Sequence, residues 1–229
     1  MNQDYKPGIL TIITHYIAFF MAMNFYFLIS ILPALVWWAM FEPGLLDVIP
    51  LAIMGPGLTA MLCCMIKFRE TNFEKEDLPT AKDFWRFYRQ NVLDTLKLWL
   101  PYVMLMVILS TNVMHYAGGQ VTRLIFTVSG IAGMVLFTLC IINVLMINAK
   151  FSFRVRDLYR LGMFYLFKDV KATVSYGVVC FLMVVVALLV SEILLFLVAS
   201  ILGYLMVHYG QAVLRDIGQT FVATHETEN

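Results

Sequence analysis

The chain has 229 residues, of which 61% are apolar or aromatic and only 14% are Asp, Glu, Lys or Arg, against about 25% charged residues in an ordinary soluble domain. With mean hydropathy at +0.82, too few charges remain to coat a water-facing surface. A net charge of +1 gives no basic field for nucleic acid.

Three long stretches hold no Asp, Glu, Lys or Arg: Pro7 to Phe41, Leu98 to Thr122 and Leu124 to Ala149. Each exceeds the ~20 apolar residues that carry an α-helix across ~30 Å of hydrocarbon. The fold class is therefore an all-α polytopic transmembrane bundle, a single domain over residues 1–217 with a polar tail over 218–229. Lys6 precedes the first apolar run, but that run is far longer than a signal-peptide core and has no small-x-small exit, so it reads as a retained first helix.

Basic residues set the orientation. Lys67, Arg69, Lys75, Lys82, Arg86, Arg89 and Lys97 fall in one polar segment, and Lys150, Arg154, Arg156, Arg160, Lys168 and Lys171 in another, thirteen of the sixteen Lys and Arg. Basic loops resist translocation, so both segments and the N-terminus are expected in the cytoplasm. In chain order the spans cover about residues 9–41 going out, 45–66 returning, 97–116 going out and 121–148 returning. Residues Ala172 to Leu214 contain one ionisable carboxylate, Glu192, and a straight helix of that length would be about twice the core thickness. Two helices over about 172–190 and 193–214, broken near Ser191 and Glu192, are expected. One overlong final helix, giving five spans, is the alternative.

Each cytoplasmic segment forms an amphipathic elbow. Thr80 followed by Asp83 reads as a capping-box start, and Phe84, Phe87, Tyr88 and Asn91 then recur at helical spacing. Asp83-Phe84-Trp85-Arg86 matches Asp157-Leu158-Tyr159-Arg160 at an offset of 74 residues, and Lys97 matches Lys171 at the same offset. This points to a parallel duplication of a helix, elbow, helix unit. Phe84, Trp85, Arg86, Tyr88, Arg89, Tyr159 and Arg160 are candidate partner-docking residues, or else lie at headgroup level.

No phosphate-binding loop, HExxH, GxSxG or metal-spaced Cys/His cluster is present, and His15, His115, His208 and His225 are scattered. Neither catalysis nor a cofactor or metal is expected. Cys63, Cys64, Cys140 and Cys180 read as small apolar packing residues, and Asn24, Asn112, Asn143 and Asn148 as buried polar candidates for interhelical hydrogen bonds. Ser129 with Gly133, and Ala199 with Gly203, are small pairs that let helices approach. Gly55-Pro56-Gly57 sits halfway along the second span, where Pro56 removes the donor to the Ala52 carbonyl. It reads as a packing kink or as a gating element. Glu192 reads as marking a turn at the outer interface or as an intramembrane polar site.

The run from Pro50 through Gly55-Pro56-Gly57 to Ala60, then Lys67-Phe68-Arg69, Asp83 to Asn91 and Leu98-Trp99-Leu100, resembles the YesL-like family of small bacterial membrane proteins of unknown function. The resemblance implies a bacterial cytoplasmic-membrane protein whose genes accompany carbohydrate ABC importers, and it brings no catalytic residues. With no nucleotide-binding motif and no EAA-type coupling loop, the expected role is an accessory subunit or assembly factor beside the permease and ATPase subunits. An autonomous small transporter or channel, and a membrane scaffold or sensor partner, are the alternatives.

Overall fold

The computed structural model describes residues 9–42, 44–70, 80–116, 121–189 and 192–222. Among them are seven α-helices and no strand: α1 Ile9–Met40, α2 Val48–Glu70, α3 Ala81–Tyr116, α4 Val121–Lys150, α5 Val155–Lys168, α6 Val170–Leu189 and α7 Glu192–Ile217. Five of them are long and apolar enough to cross a membrane: α1, α2, α3, α4 and α6. The molecule is a multi-pass helical membrane protein. A 3-10 turn over Leu45–Asp47 leads into α2, with the Gly44 amide donating to Asp47 at 2.9 Å. A π-helical turn, Gly218–Val222, follows α7 and takes up the start of the expected polar tail. Pro43, residues 117–120, Ser191 and His225 lie outside the described residues, as does the side chain of Glu192.

The separate helices α6 and α7 match the expected break before Glu192 and leave no overlong final helix. They pack as a hairpin, with Tyr176 of α6 against Gly210 of α7. The expected third helix differs. It starts at Ala81 rather than near Lys97, so the first elbow and the third span are one rod of 36 residues. Its start is the capping arrangement expected at Thr80: the Thr80 amide donates to the Asp83 carboxylate at 3.1 Å. Nothing then stops it, because Asp94 and Lys97 pair with each other at 3.0 Å on the exposed face while Phe84, Thr95 and Leu98 stay buried. The second elbow is a separate helix, α5. It stops at Asp169, whose carboxylate accepts the Ala172 amide at 3.1 Å and so caps α6, as short acidic side chains do at helix starts. Burial still repeats at the offset of 74: Phe84 and Leu158 are buried, Arg86 and Arg160 exposed.

Helix α2 is the hub, with 67% of its most apolar window buried against 17% for α3 and α6. It touches α1, α3, α4 and α7. The helix continues through Pro56, and the flanking glycines serve two different neighbours. A Cβ on Gly55 would stand 2.5 Å from ring atoms of Trp99 in α3, and one on Gly57 would stand 2.5 Å from Ser30 Oγ in α1. The Trp99 indole N–H donates to the Leu51 carbonyl at 2.8 Å, one residue before the carbonyl that Pro56 leaves without its helical donor. Gly55-Pro56-Gly57 is thus wholly buried and is a two-sided packing notch.

Helix α7 returns beside α1. Asn24 Oδ1 accepts the Ser200 amide at 2.8 Å, and Ser200 Oγ donates to the Phe20 carbonyl at 3.1 Å. Asn24 therefore makes the interhelical bond expected of it. The side chain of Asn143, by contrast, is buried with no hydrogen bond among the described residues. The glycine of each small-residue pair packs the chain's own helices, Gly133 against Leu109 of α3 and Gly203 against Met61 of α2, whereas Ser129 is exposed.

The core is concentrated toward the charged end, where Phe19 stacks on Phe68 at 4.0 Å and α5 closes the bundle. At this end, past the apolar part of α7, Tyr165 donates to Asp216 and Lys168 pairs with it. The opposite halves of α3 and α4 expose Met104, Ile108, Met114, Leu124, Phe126 and Ile131. Such a surface suits hydrocarbon, where apolar side chains cost nothing and backbone groups are satisfied within helices.

Three outcomes follow. Gly55→Leu forces atoms into the Trp99 ring and lowers stability in detergent by about 1–3 kcal/mol, the usual cost of overpacking, whereas Gly177→Ala, with open space around it, gains up to about 1 kcal/mol from helix propensity; thermal melts of the purified variants compare them. Trp99→Phe keeps the ring but loses the bond to Leu51, costing about 1 kcal/mol, read the same way. The third outcome concerns acid. The hydrogen bond from Lys168 and then that from Tyr165 hold the Asp216 carboxyl below its usual range. A depressed native pKa stabilises above the unfolded value of about 4 and is lost as pH falls through the native one. Acidification through that window therefore frees α5 from α7, raising its amide exchange, and Asp216→Asn shows that raised exchange at neutral pH.

Candidate functional site

The expected docking residues separate once placed. At the start of α3, Asp83 is clamped between Lys67 of α2 at 3.0 Å and Arg86 at 2.7 Å, which ties the elbow to the end of α2. Phe84, one residue on, is fully buried and packs 5.9 Å from the Tyr26 ring. Its role is internal. Trp85 and Tyr88 lie half-buried with their rings edge to face at 5.6 Å, while Arg86 and Arg89 are exposed, Arg86 lying 5.1 Å over the Phe87 ring. Lys82, Trp85, Arg86, Arg89 and Gln90 line one open depression of ≈ 590 Å³. An α-helix brings these residues to one side because positions three and four apart share a face.

The second elbow contributes less. Tyr159 donates its hydroxyl to the Leu98 carbonyl and so fastens α5 to the middle of α3. Arg160 is exposed on α5 and does not line the α3 depression. The candidate surface is therefore a property of α3 alone: a half-buried aromatic platform edged by exposed cations. Such a platform can hold an acidic or polar partner surface, since arginine stacks on rings and offers paired N–H donors.

Behind α3 a cavity of ≈ 240 Å³ lies among the helices, lined mainly by apolar and aromatic side chains such as Phe27, Met54, Met61, Trp99 and Met206. Its polar atoms include the hydroxyls of Tyr102 and Thr138, which bond each other at 3.1 Å. A path for ions or sugars needs a polar lining, and apart from these hydroxyls this cavity is lined almost wholly by apolar side chains. Gly55-Pro56-Gly57 stands near this cavity as the packing notch already described. Cys63, Cys64 and Cys140 are buried and free, Cys180 is half-buried and free, and no cluster of three metal-ligating side chains occurs among the described residues.

One contact at the charged end was not anticipated from the spacing. The Arg69 guanidinium meets His208 Nδ1 across α2 and α7, two residues 139 positions apart in sequence. Only the apolar periodicity of α7, which places Tyr204, Val207 and His208 near one edge, carries a hint of it.

No curated protein and no solved structure matches the chain. Residues 20–113, from the middle of α1 to near the end of α3 and thus including both Gly55-Pro56-Gly57 and the docking face, are similar to the family described as "Protein of unknown function, DUF624".

Proposed function

We propose that this chain is a YesL-like protein of the bacterial cytoplasmic membrane, with its N-terminus in the cytoplasm. In this reading it is a non-enzymatic accessory subunit or assembly factor of a carbohydrate ABC importer. The observation that carries the reading is the exposed edge of α3: Arg86 and Arg89 beside Trp85, held out rigidly by the Lys67–Asp83 clamp at the charged end. Aromatic and arginine side chains are the commonest anchors of protein interfaces. The exposed apolar halves of α3 and α4 supply a second surface, against which a permease helix can pack within the bilayer. The nearly apolar central cavity argues against the autonomous transporter or channel.

The test is recovery of partners. Tagged protein extracted from its native membrane in mild detergent is expected to bring down a sugar permease pair and its ATPase. Arg89→Glu, which leaves the Asp83 clamp intact, lowers that recovery by about tenfold, the scale of one lost charge-assisted contact, while the melting profile stays unchanged because the Arg89 side chain is exposed. A lone protein from every gentle extraction counts against the proposal.

A further inference from the structure

A second concavity lies away from the α3 face, at the charged end where α1, α2, α4 and α7 converge. It measures ≈ 500 Å³ and two kinds of wall enclose it. Tyr16, Phe68 and Tyr204 form an aromatic side. Arg69, Lys150 and Arg215, drawn from three helices, supply cations, with the Gln211 amide among them and Glu70 as the one carboxylate on the lining among the described residues.

Charge is out of balance there. Glu70 is committed to Lys150 at 2.6 Å. Arg69 is oriented by neutral groups: since a guanidinium only donates, His208 Nδ1 is its acceptor, and the Tyr204 ring lies 6.0 Å from its central carbon. Arg215 makes no ion pair among the described residues, and the neighbouring Asp216 carboxylate is already used by Lys168 and Tyr165. Two guanidiniums thus share a concave site with no carboxylate of their own among the described residues. A structural ion-pair network would place an acid beside each cation. This arrangement instead leaves donors for an anion with several oxygens.

We propose that this concavity is a binding site for a phosphate ester. Arg69 and Arg215 would take phosphate oxygens through paired N–H donors, the geometry that suits guanidinium to phosphate. Lys150 adds a point charge, and the Tyr16–Phe68–Tyr204 side accepts the organic part of the ester. A carboxylate is a poorer fit, because a single arginine already satisfies its two oxygens, whereas a phosphate has enough oxygens for cations from several helices. Basic pockets between membrane helices on the cytoplasmic side collect anionic lipid headgroups, and a soluble phosphate ester offers the same chemistry.

Full-length purified protein tests the proposal in two arms. In the first, delipidated protein is exposed to mixed micelles of phosphatidylglycerol and phosphatidylcholine, and retained lipid is counted by native mass spectrometry. In the second, protein in phosphatidylcholine nanodiscs is melted with and without millimolar glycerol 3-phosphate. Selective retention of phosphatidylglycerol identifies a headgroup as the source, and a raised melting temperature with glycerol 3-phosphate identifies a soluble ester. Either signal should fall about tenfold, the scale of a lost charge-assisted contact, in Arg215→Gln and further in Arg69→Gln with Arg215→Gln. Arg215→Lys keeps part of it, and Arg156→Gln on the exposed face of α5 keeps all of it. Because Arg215 is exposed, the single variant folds and stays informative should the double variant not. Absence of both signals in the wild type overturns the site, as does a signal that Arg215→Gln leaves intact or that Arg156→Gln lowers equally.

Discussion

Helix α2 can occupy the centre of this bundle only because two of its residues have no side chains. At Gly55 the Trp99 ring of α3 comes in to where a Cβ would stand, and at Gly57 Ser30 of α1 does the same from another side. The indole nitrogen then donates to a carbonyl of the helix it leans on. In hydrocarbon no water is present to satisfy such groups. Pro56 between the glycines loosens the helical hydrogen bonding at the level where Trp99 supplies a donor from outside. Loss of a donor and gain of a neighbour thus occur at one level of α2, and α1, α2 and α3 are fixed relative to each other by it.

From that notch toward the charged end the packing becomes dense. Aromatic stacking of Phe19 on Phe68, the Asn24–Ser200 bond and the attachment of α5 through Tyr159 and Tyr165 all lie on that side. In the other direction α3 and α4 continue as a pair with exposed apolar flanks. The consequence is a bundle with a rigid base and a slender outer part. Its base can hold the start of α3 in a fixed position, while its outer part depends on lipid or on another membrane helix for company.

Hydropathy is enough to read a bundle of membrane-crossing helices and to separate α6 from α7 before Glu192, because a run twice the bilayer thickness has to fold back, but it leaves five or six spans open. It failed at the start of α3. Asp94 and Lys97 looked like the edge of a span, yet an exposed pair spaced three residues apart satisfies itself on the side of a continuous helix. The alternation of Phe84, Trp85 and Arg86 marked an amphipathic helix without saying which aromatic faced inward. That depended on Tyr26, a residue of α1. Gly55-Pro56-Gly57 was visible as a special site, but its meaning lay in Trp99 and Ser30, which only the fold brings near. Contacts such as Arg69 with His208 join distant segments through packing and leave no local pattern to read.

Both proposed sites arise from one distribution of charge, and their shapes separate them. Basic residues crowd one end of the molecule, and the acids there are largely spent on internal ties: Asp83 on Lys67 and Arg86, Glu70 on Lys150, Asp216 on Lys168. The uncommitted cations create a positive field that draws anionic groups to that end. On α3 Lys82 and Arg89, in no ion pair among the described residues, edge an open depression belonging to a single helix, a surface that only a large partner can cover. Between α1, α2, α4 and α7 they converge from several helices onto one concavity with an aromatic side, which is the shape that encloses a small anion. In the two proposals the same excess charge thus draws a protein to one face and a phosphate to the other, and the two can be removed independently because no residue lines both.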